Sequence, residues 1–151
     1  PTPGKPYTVM IDYAHTPDSL ENILKTIKEF VPNRLICVFG CGGDRDKGKR
    51  PEMGKISGEI ADLTVITSDN PRTEDPAGII KDIEQGIKQT DGQYIIIQDR
   101  TEAIRYAMSI AGSGDIILLA GKGHETYQIF RDRTIHYDER EIVREILDEL
   151  E

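Results

Sequence analysis

Residues 34–51 read RLICVFGCGGDRDKGKRP. The apolar run at 34–39 leads into glycines and Pro51 opens a helical pattern, so residues 39–51 form the turn at the carboxyl end of a buried strand. Open α/β sheets bind ligands at that place. Gly40, Gly42 and Gly43 let the backbone take unusual conformations and come close to a bound group. Arg45, Lys47, Lys49 and Arg50 bring four cations to the same rim, which implies an anionic ligand. Gly43 to Lys49 also satisfies G-x-x-x-x-G-K, but position 50 is Arg where a P-loop needs Ser or Thr for magnesium. The charged side chains of Asp44, Arg45, Asp46 and Lys47 further suit the segment poorly to wrapping a triphosphate with bare amides. A solvated charged turn is the other reading of DRDKGKR; the glycines and the strand before them argue against it.

On either side of this loop the chain alternates strands and helices. YTVMIDY at 7–13 reads as a strand, then Thr16 caps a helix that starts at Pro17 and carries Leu20, Ile23, Leu24, Ile27, Phe30 and Val31 at helical spacing. After the glycine loop, the helix from Pro51 sets Met53, Ile56 and Ile60 on one face. DLTVITS at 62–68 is a third strand, followed by Asp75 capping a helix with Ile79, Ile80, Ile83 and Ile87 inward. YIIIQ at 94–98 precedes a capping box of Asp99 and Glu102 and a stripe of Ile104, Ala107, Met108 and Ala111. DIILLAG at 115–121 is the fifth strand, and YQIF and TIHY flank Arg131–Arg133 as a hairpin. A last helix, capped by Asp138 with Glu141, packs Ile142, Val143, Ile146, Leu147 and Leu150. The fold expected is α/β and Rossmann-like: a mostly parallel sheet of about six strands, helices on both faces, and a C-terminal antiparallel hairpin or edge.

With 151 residues the chain is long enough for one domain with a real core. The formal charge of −8 argues against bulk nucleic-acid binding, so the cations of the glycine loop mark a local pocket. No stretch approaches the roughly 20 apolar residues that span a bilayer. A soluble, cytosolic protein is expected, without a membrane or nucleic-acid partner. Cys37 lies in a strand pattern and reads as a small buried hydrophobe. With Cys41 it makes neither an assured disulfide nor a metal site. The chain begins with Pro and PTPGKP at 1–6 reads as a linker remnant, so residues 1–151 are expected to be one domain of a longer protein.

Three further loops carry chemistry. DNPR at 69–72 joins a carboxylate, an amide and a guanidinium around a proline; Arg72 is able to grip a carboxylate at two points while Asn70 donates to it and accepts from an amine. The same residues also make an ordinary turn in which Arg72 pairs with Glu74 or Asp75. In GKGHE at 121–125, Gly121 and Gly123 expose backbone groups and Glu125 is able to hold an ammonium, although a solvated turn fits as well. DYAHTP offers Asp12 and His15 to a nucleotide or a proton, while Asp12 is equally suited to hydrogen-bonding turn amides. His136 reads as structural. There is no triad, metal-ligand cluster or G-x-G-x-x-G signature.

Taken as a set, DYAHTPD, FGCGGDRDKGKRP, DNPRTEDP and AGKGHE, in this order and at these separations, resemble the C-terminal domain of the Mur ligases. The type they resemble adds meso-diaminopimelate, and the likeness runs from about Gly4 to the C-terminus. It implies ATP-dependent amide-bond formation in peptidoglycan synthesis. The carboxylate of UDP-N-acetylmuramoyl-L-alanyl-D-glutamate is phosphorylated, and the amino acid attacks the acyl phosphate. By this resemblance Arg45 takes one carboxylate of diaminopimelate and Asn70 and Arg72 take the distal one. The Gly121 carbonyl and Glu125 take the distal ammonium, and Asp69 supports the loop. Asp12 and His15 lie on the ATP side, and no residue here is catalytic. ATP and Mg2+ would be held mainly by a central domain, and the UDP-sugar by a further one. These 151 residues alone are expected to be inactive, and the ligase monomeric. Two other readings stand beside it: a freestanding nucleotide-binding module that uses residues 40–49 for phosphate, and a flavodoxin-like interaction domain with merely solvated loops.

Overall fold

The computed structural model describes residues 5–45 and 47–149. Pro1 to Gly4 of the expected linker, Asp46 of the glycine loop and Leu150 of the last apolar stripe lie outside the described residues. Strands β1 (Thr8–Asp12), β2 (Leu35–Phe39), β3 (Leu63–Ile66), β4 (Gln93–Ile96) and β5 (Ile116–Ala120) form one parallel sheet in the order β1-β5-β2-β3-β4. The hairpin β6 (Tyr127–Ile129) and β7 (Thr134–His136) makes its own antiparallel sheet and does not extend the edge of the main one. The main sheet is therefore five-stranded among the described residues.

Period-two alternation sends each strand's side chains to two cores. On one face Leu35, Cys37, Phe39, Ile66 and Leu118 pack against α1 (Pro17–Phe30), α2 (Lys49–Ile60) and α3 (Pro76–Ile87). On the other, Ile36, Val38, Val65, Ile117 and Leu119 meet α4 (Arg100–Ile110) and α5 (Glu139–Glu149). Handedness explains the split. The first three crossovers advance across the sheet in one direction, and the connection through α4 returns to insert β5 between β1 and β2. Right-handed crossovers that run in opposite directions lie on opposite faces.

Local chemistry sets the helix starts. Thr16 and Ser19 form a reciprocal cap on α1, and Asp75 accepts from the Ala77 amide to start α3. Asp99 accepts from the Glu102 amide, but the expected reciprocal bond is missing because the Glu102 carboxylate turns to Arg105. Likewise Asp138 caps the Arg140 amide while Glu141 pairs with His136 at 2.8 Å. Helix α2 begins at Lys49, two residues before the Pro51 start expected, and its buried face is Met53, Gly54, Ser57 and Gly58; Ile56 and Ile60 are only half-buried. No helix among the described residues is long and apolar enough to cross a membrane.

Candidate functional site

The turns after β1, β2, β3 and β5 converge at the carboxyl edge of the sheet around a cleft of about 250 Å³. A wider hollow of about 660 Å³ at the opposite edge is lined by Glu59, Asp62 and Asp91 and no cation, and it touches none of these loops. Into the first cleft come Tyr13 and His15, then Arg45 and Lys49, then Asp69, Asn70 and Arg72, and last Gly121 and Glu125. Of the site residues expected from sequence, only Asp12 does not line it.

The glycine loop and the DNPR loop are fastened to each other. Gly43 N–H donates to the Asn70 carbonyl at 2.7 Å, and the Thr73 hydroxyl donates to Asp44 at 2.6 Å. Asp44 N–H donates to Glu74 at 2.7 Å, and Glu74 also receives both Arg50 nitrogens, at 2.8 and 3.0 Å. The Arg50 guanidinium, helped by that amide against partial burial, holds the Glu74 carboxyl down at about 2. Glu74 is thus the anion that this loop already carries. The expectation that four cations share the rim needs correction: Arg50 is 1% exposed and bonds Glu74, Asp82 and the Gly42 carbonyl, while Arg45 and Lys49 reach the cleft. A phosphate-gripping loop needs the amides of Gly43 and Asp44, and both are taken. This disfavours the freestanding nucleotide module.

Arg72 sits at φ +54°, in the left-handed region that costs a side-chain-bearing residue roughly 1–2 kcal/mol. Three contacts hold it there. Its amide donates to the Ile129 carbonyl at 3.0 Å, and its Nη1 donates to the carbonyls of Gly43 and Asn70 at 3.0 and 3.4 Å. The turn pairing with Glu74 or Asp75 does not form. Asn70 is 3% exposed, and its Oδ1 accepts from the Ile129 amide and from Lys122 Nζ, each at 3.0 Å. A backbone N–H can only donate, so the amide's orientation is fixed and Nδ2 lies on the Glu125 side, 3.4 Å from Oε1. Asn70 is therefore left as a donor, not the mixed donor and acceptor expected. Lys122, 0% exposed, also contacts Asp69 at 3.2 Å and Glu125 at 3.5 Å.

At the other end of the cleft, Asp12 accepts from the Ala14 amide at 2.8 Å and shapes its own turn. The Tyr13 and His15 rings meet at 4.6 Å, and Lys49 donates to the His15 carbonyl at 3.2 Å, tying this turn to the glycine loop. Cys37 and Cys41 are both free and buried, and burial pushes each thiol up to about 12. Among the described residues no group of three His, Cys, Asp or Glu side chains is placed to hold a metal.

Two buried cations went unnoticed in the sequence. Besides Lys122, Arg100 is 1% exposed and donates to Glu139 at 2.8 Å, to the Ser68 carbonyl at 2.9 Å and to the Ala120 carbonyl at 3.0 Å. Those carbonyls stand at the roots of DNPR and GKGHE. A signal existed: Arg100 occupies the first position of α4, where the helix dipole disfavours a cation unless something else holds it. Nothing in GKGHE shows that Lys122 is buried: Glu125 belongs to the motif, but Asp69 and Asn70 are more than fifty residues away.

Comparison with known proteins finds relatives along nearly the whole chain. The family described as "Mur ligase, glutamate ligase domain" matches residues 2–123. The chain is 59% identical over 148 residues to a UDP-N-acetylmuramoyl-L-alanyl-D-glutamate--2,6-diaminopimelate ligase of Caldanaerobacter subterraneus, covering 98% of this chain and 31% of the relative. It is 58% identical over 144 residues to the protein of that name from Clostridium tetani, covering 95% of this chain and 29% of the relative. A solved structure with the same enzyme name superimposes with a TM-score of 0.91 at 46% identity, covering 97% of this chain and 30% of that one. The chain thus spans about 30% of the length of these relatives.

Proposed function

The chain belongs to the Mur ligase family, and from its cleft we propose that it is the amino-acid-binding C-terminal domain of an ATP-dependent ligase that adds meso-diaminopimelate to UDP-N-acetylmuramoyl-L-alanyl-D-glutamate. The observation that carries this reading is the division of the cleft. Arg72 and the Nδ2 of Asn70 supply donors beside Arg45, and Glu125 and the Gly121 backbone face them. A ligand with a carboxylate and an ammonium on the same distal carbon matches such a pair of walls. L-lysine has the ammonium alone, and would leave the Arg72 guanidinium without an anionic partner. Asp69 backs the loop through Lys122.

The chain's residues bind and orient the amino acid and exclude water from its distal end; a nucleophilic amine held in place needs no catalytic group from this domain. His15, with Tyr13 and Lys49, faces the side on which ATP would approach, and Asp12 shapes that turn. ATP supplies the acyl phosphate, and it and Mg2+ are held by other parts of the ligase. A monomeric enzyme acting in the cytoplasm completes the reading.

The test is ligation by the full-length enzyme given ATP and the UDP-linked dipeptide. Diaminopimelate should be favoured over L-lysine by roughly 10⁴-fold, the discrimination open to a site whose buried polar groups need a partner. Comparable turnover of the two would overturn the assignment. Given the same substrates, the 151-residue chain alone should form no product, and any turnover would refute its role as a binding domain.

A further inference from the structure

Lys122 is fully buried, yet its ammonium lies between groups from two loops: Asp69 and Asn70 on one, Glu125 on its own. A buried ammonium requires compensation, and here its presence also determines what its neighbours can offer. By donating to Asn70 Oδ1 together with the Ile129 amide, it leaves only the NH2 group of Asn70 for a ligand. By facing Asp69 and Glu125 it offsets the two carboxylates that line the cleft. Arg100 joins the same two loops from below, but only through backbone carbonyls and Glu139, so it fixes spacing without altering what the cleft presents.

We propose that Lys122 is a positioning and specificity-determining residue: it turns Asn70 into a pure donor and weakens the pull of the Asp69–Glu125 pair on a lone ammonium, so that the site favours an amino acid carrying a distal carboxylate beside its distal ammonium. The proposal rests on the diamino-acid reading of the cleft. It has a consequence that a merely structural role lacks. Removing the charge makes the cleft more negative and frees the Asn70 amide, which weakens a carboxylate-bearing ligand and not an ammonium-only one. General loosening of the site would weaken both.

The experiment is steady-state kinetics of the full-length ligase carrying Lys122→Gln, which keeps a donor for Asn70, and Lys122→Met, which keeps none, with thermal melting as the control for folding. The KM for meso-diaminopimelate should rise about tenfold to a hundredfold. The KM for L-lysine should stay level or fall, and the KM for ATP should not move. Equal increases in both amino-acid KM values, or an unchanged diaminopimelate KM in a folded variant, would overturn the proposal. If neither variant folds, Asn70→Asp decides. It keeps the acceptor contacts to Lys122 and Ile129 and exchanges the presented NH2 for oxygen, so a retained preference for diaminopimelate would refute the assignment and a lost one would support it. A wild-type enzyme that already uses L-lysine equally would instead refute the diamino-acid reading itself.

Discussion

The amide of Gly43 lies 2.7 Å from the carbonyl oxygen of Asn70, so the glycine loop and the DNPR loop share a backbone hydrogen bond directly behind the cleft. That approach requires glycine: a Cβ at position 43 would stand 1.7 Å from the Pro71 carbonyl oxygen. Gly43→Ala should destabilise the fold by about 1–3 kcal/mol, the usual scale of overpacking. It should also weaken diaminopimelate binding, because Arg72 Nη1 bonds the Gly43 carbonyl. Urea unfolding and ligand titration would check both, and unchanged values would show that the two loops move apart freely.

Substitution of Arg72 separates recognition from backbone strain. Arg72→Ala should cost about 2–5 kcal/mol in diaminopimelate binding, as for truncating one partner of a buried charge pair. A loss under about 1 kcal/mol, typical of exposed pairs, would sink the role assigned to it. Arg72→Gly should lose the same affinity yet exceed the alanine variant in stability by about 1 kcal/mol. Glycine occupies the left-handed region, where φ is +54° here, without penalty. Denaturant midpoints of the two variants give that difference directly.

The Arg50–Glu74 pair predicts an acid limb in stability. Glu74 titrates at about 2 in the folded chain against an ordinary value of 4.5. A depressed carboxyl binds its proton less readily when folded, so its contribution is complete above about pH 4.5 and disappears as pH falls towards about 2. Urea midpoints measured across that window should fall less steeply for Glu74→Gln than for the parent. Identical slopes would mean that Arg50 is held by Asp82 and the Gly42 carbonyl alone.

Neither thiol should react while the chain is folded. Burial pushes Cys37 and Cys41 up to about 12, although Cys41 borders the cleft. At pH 8 iodoacetamide should label neither within the time that labels both in urea, as mass spectrometry would show. Fast labelling of Cys41 alone would reveal an opening of the glycine loop.

The sequence was most legible where a residue's role depended on its near neighbours, although Phe30, in the expected α1 stripe, is 56% exposed. The stripes Leu20–Leu24–Ile27 and Ile79–Ile80–Ile83–Ile87 repeat at helical spacing and are buried as that spacing requires. The Thr16 and Asp75 caps act within three residues. Helix α2 was harder to read, because Gly54, Ser57 and Gly58 form its buried face and small residues leave no apolar stripe. The buried cations were least legible. Arg50, Arg100 and Lys122 resemble solvated charges in the sequence, and apart from Glu125 beside Lys122 the acids that compensate them are 24 to 53 residues away. The four loops announced a site, but which of their charges face a ligand and which face each other depends on those distant pairings.

The hairpin β6–β7 joins no strand of the main sheet, yet Ile129 gives its amide to Asn70 and its carbonyl to Arg72, and Gln128 donates to the Asp69 carbonyl. It lies beyond residues 2–123, the part matched by the family as a whole. The main sheet that carries the DNPR loop and the hairpin that buttresses it are therefore separate pieces of chain. Amino-acid choice in such an enzyme could drift, or be re-engineered, by grafting a different hairpin behind an unaltered DNPR sequence.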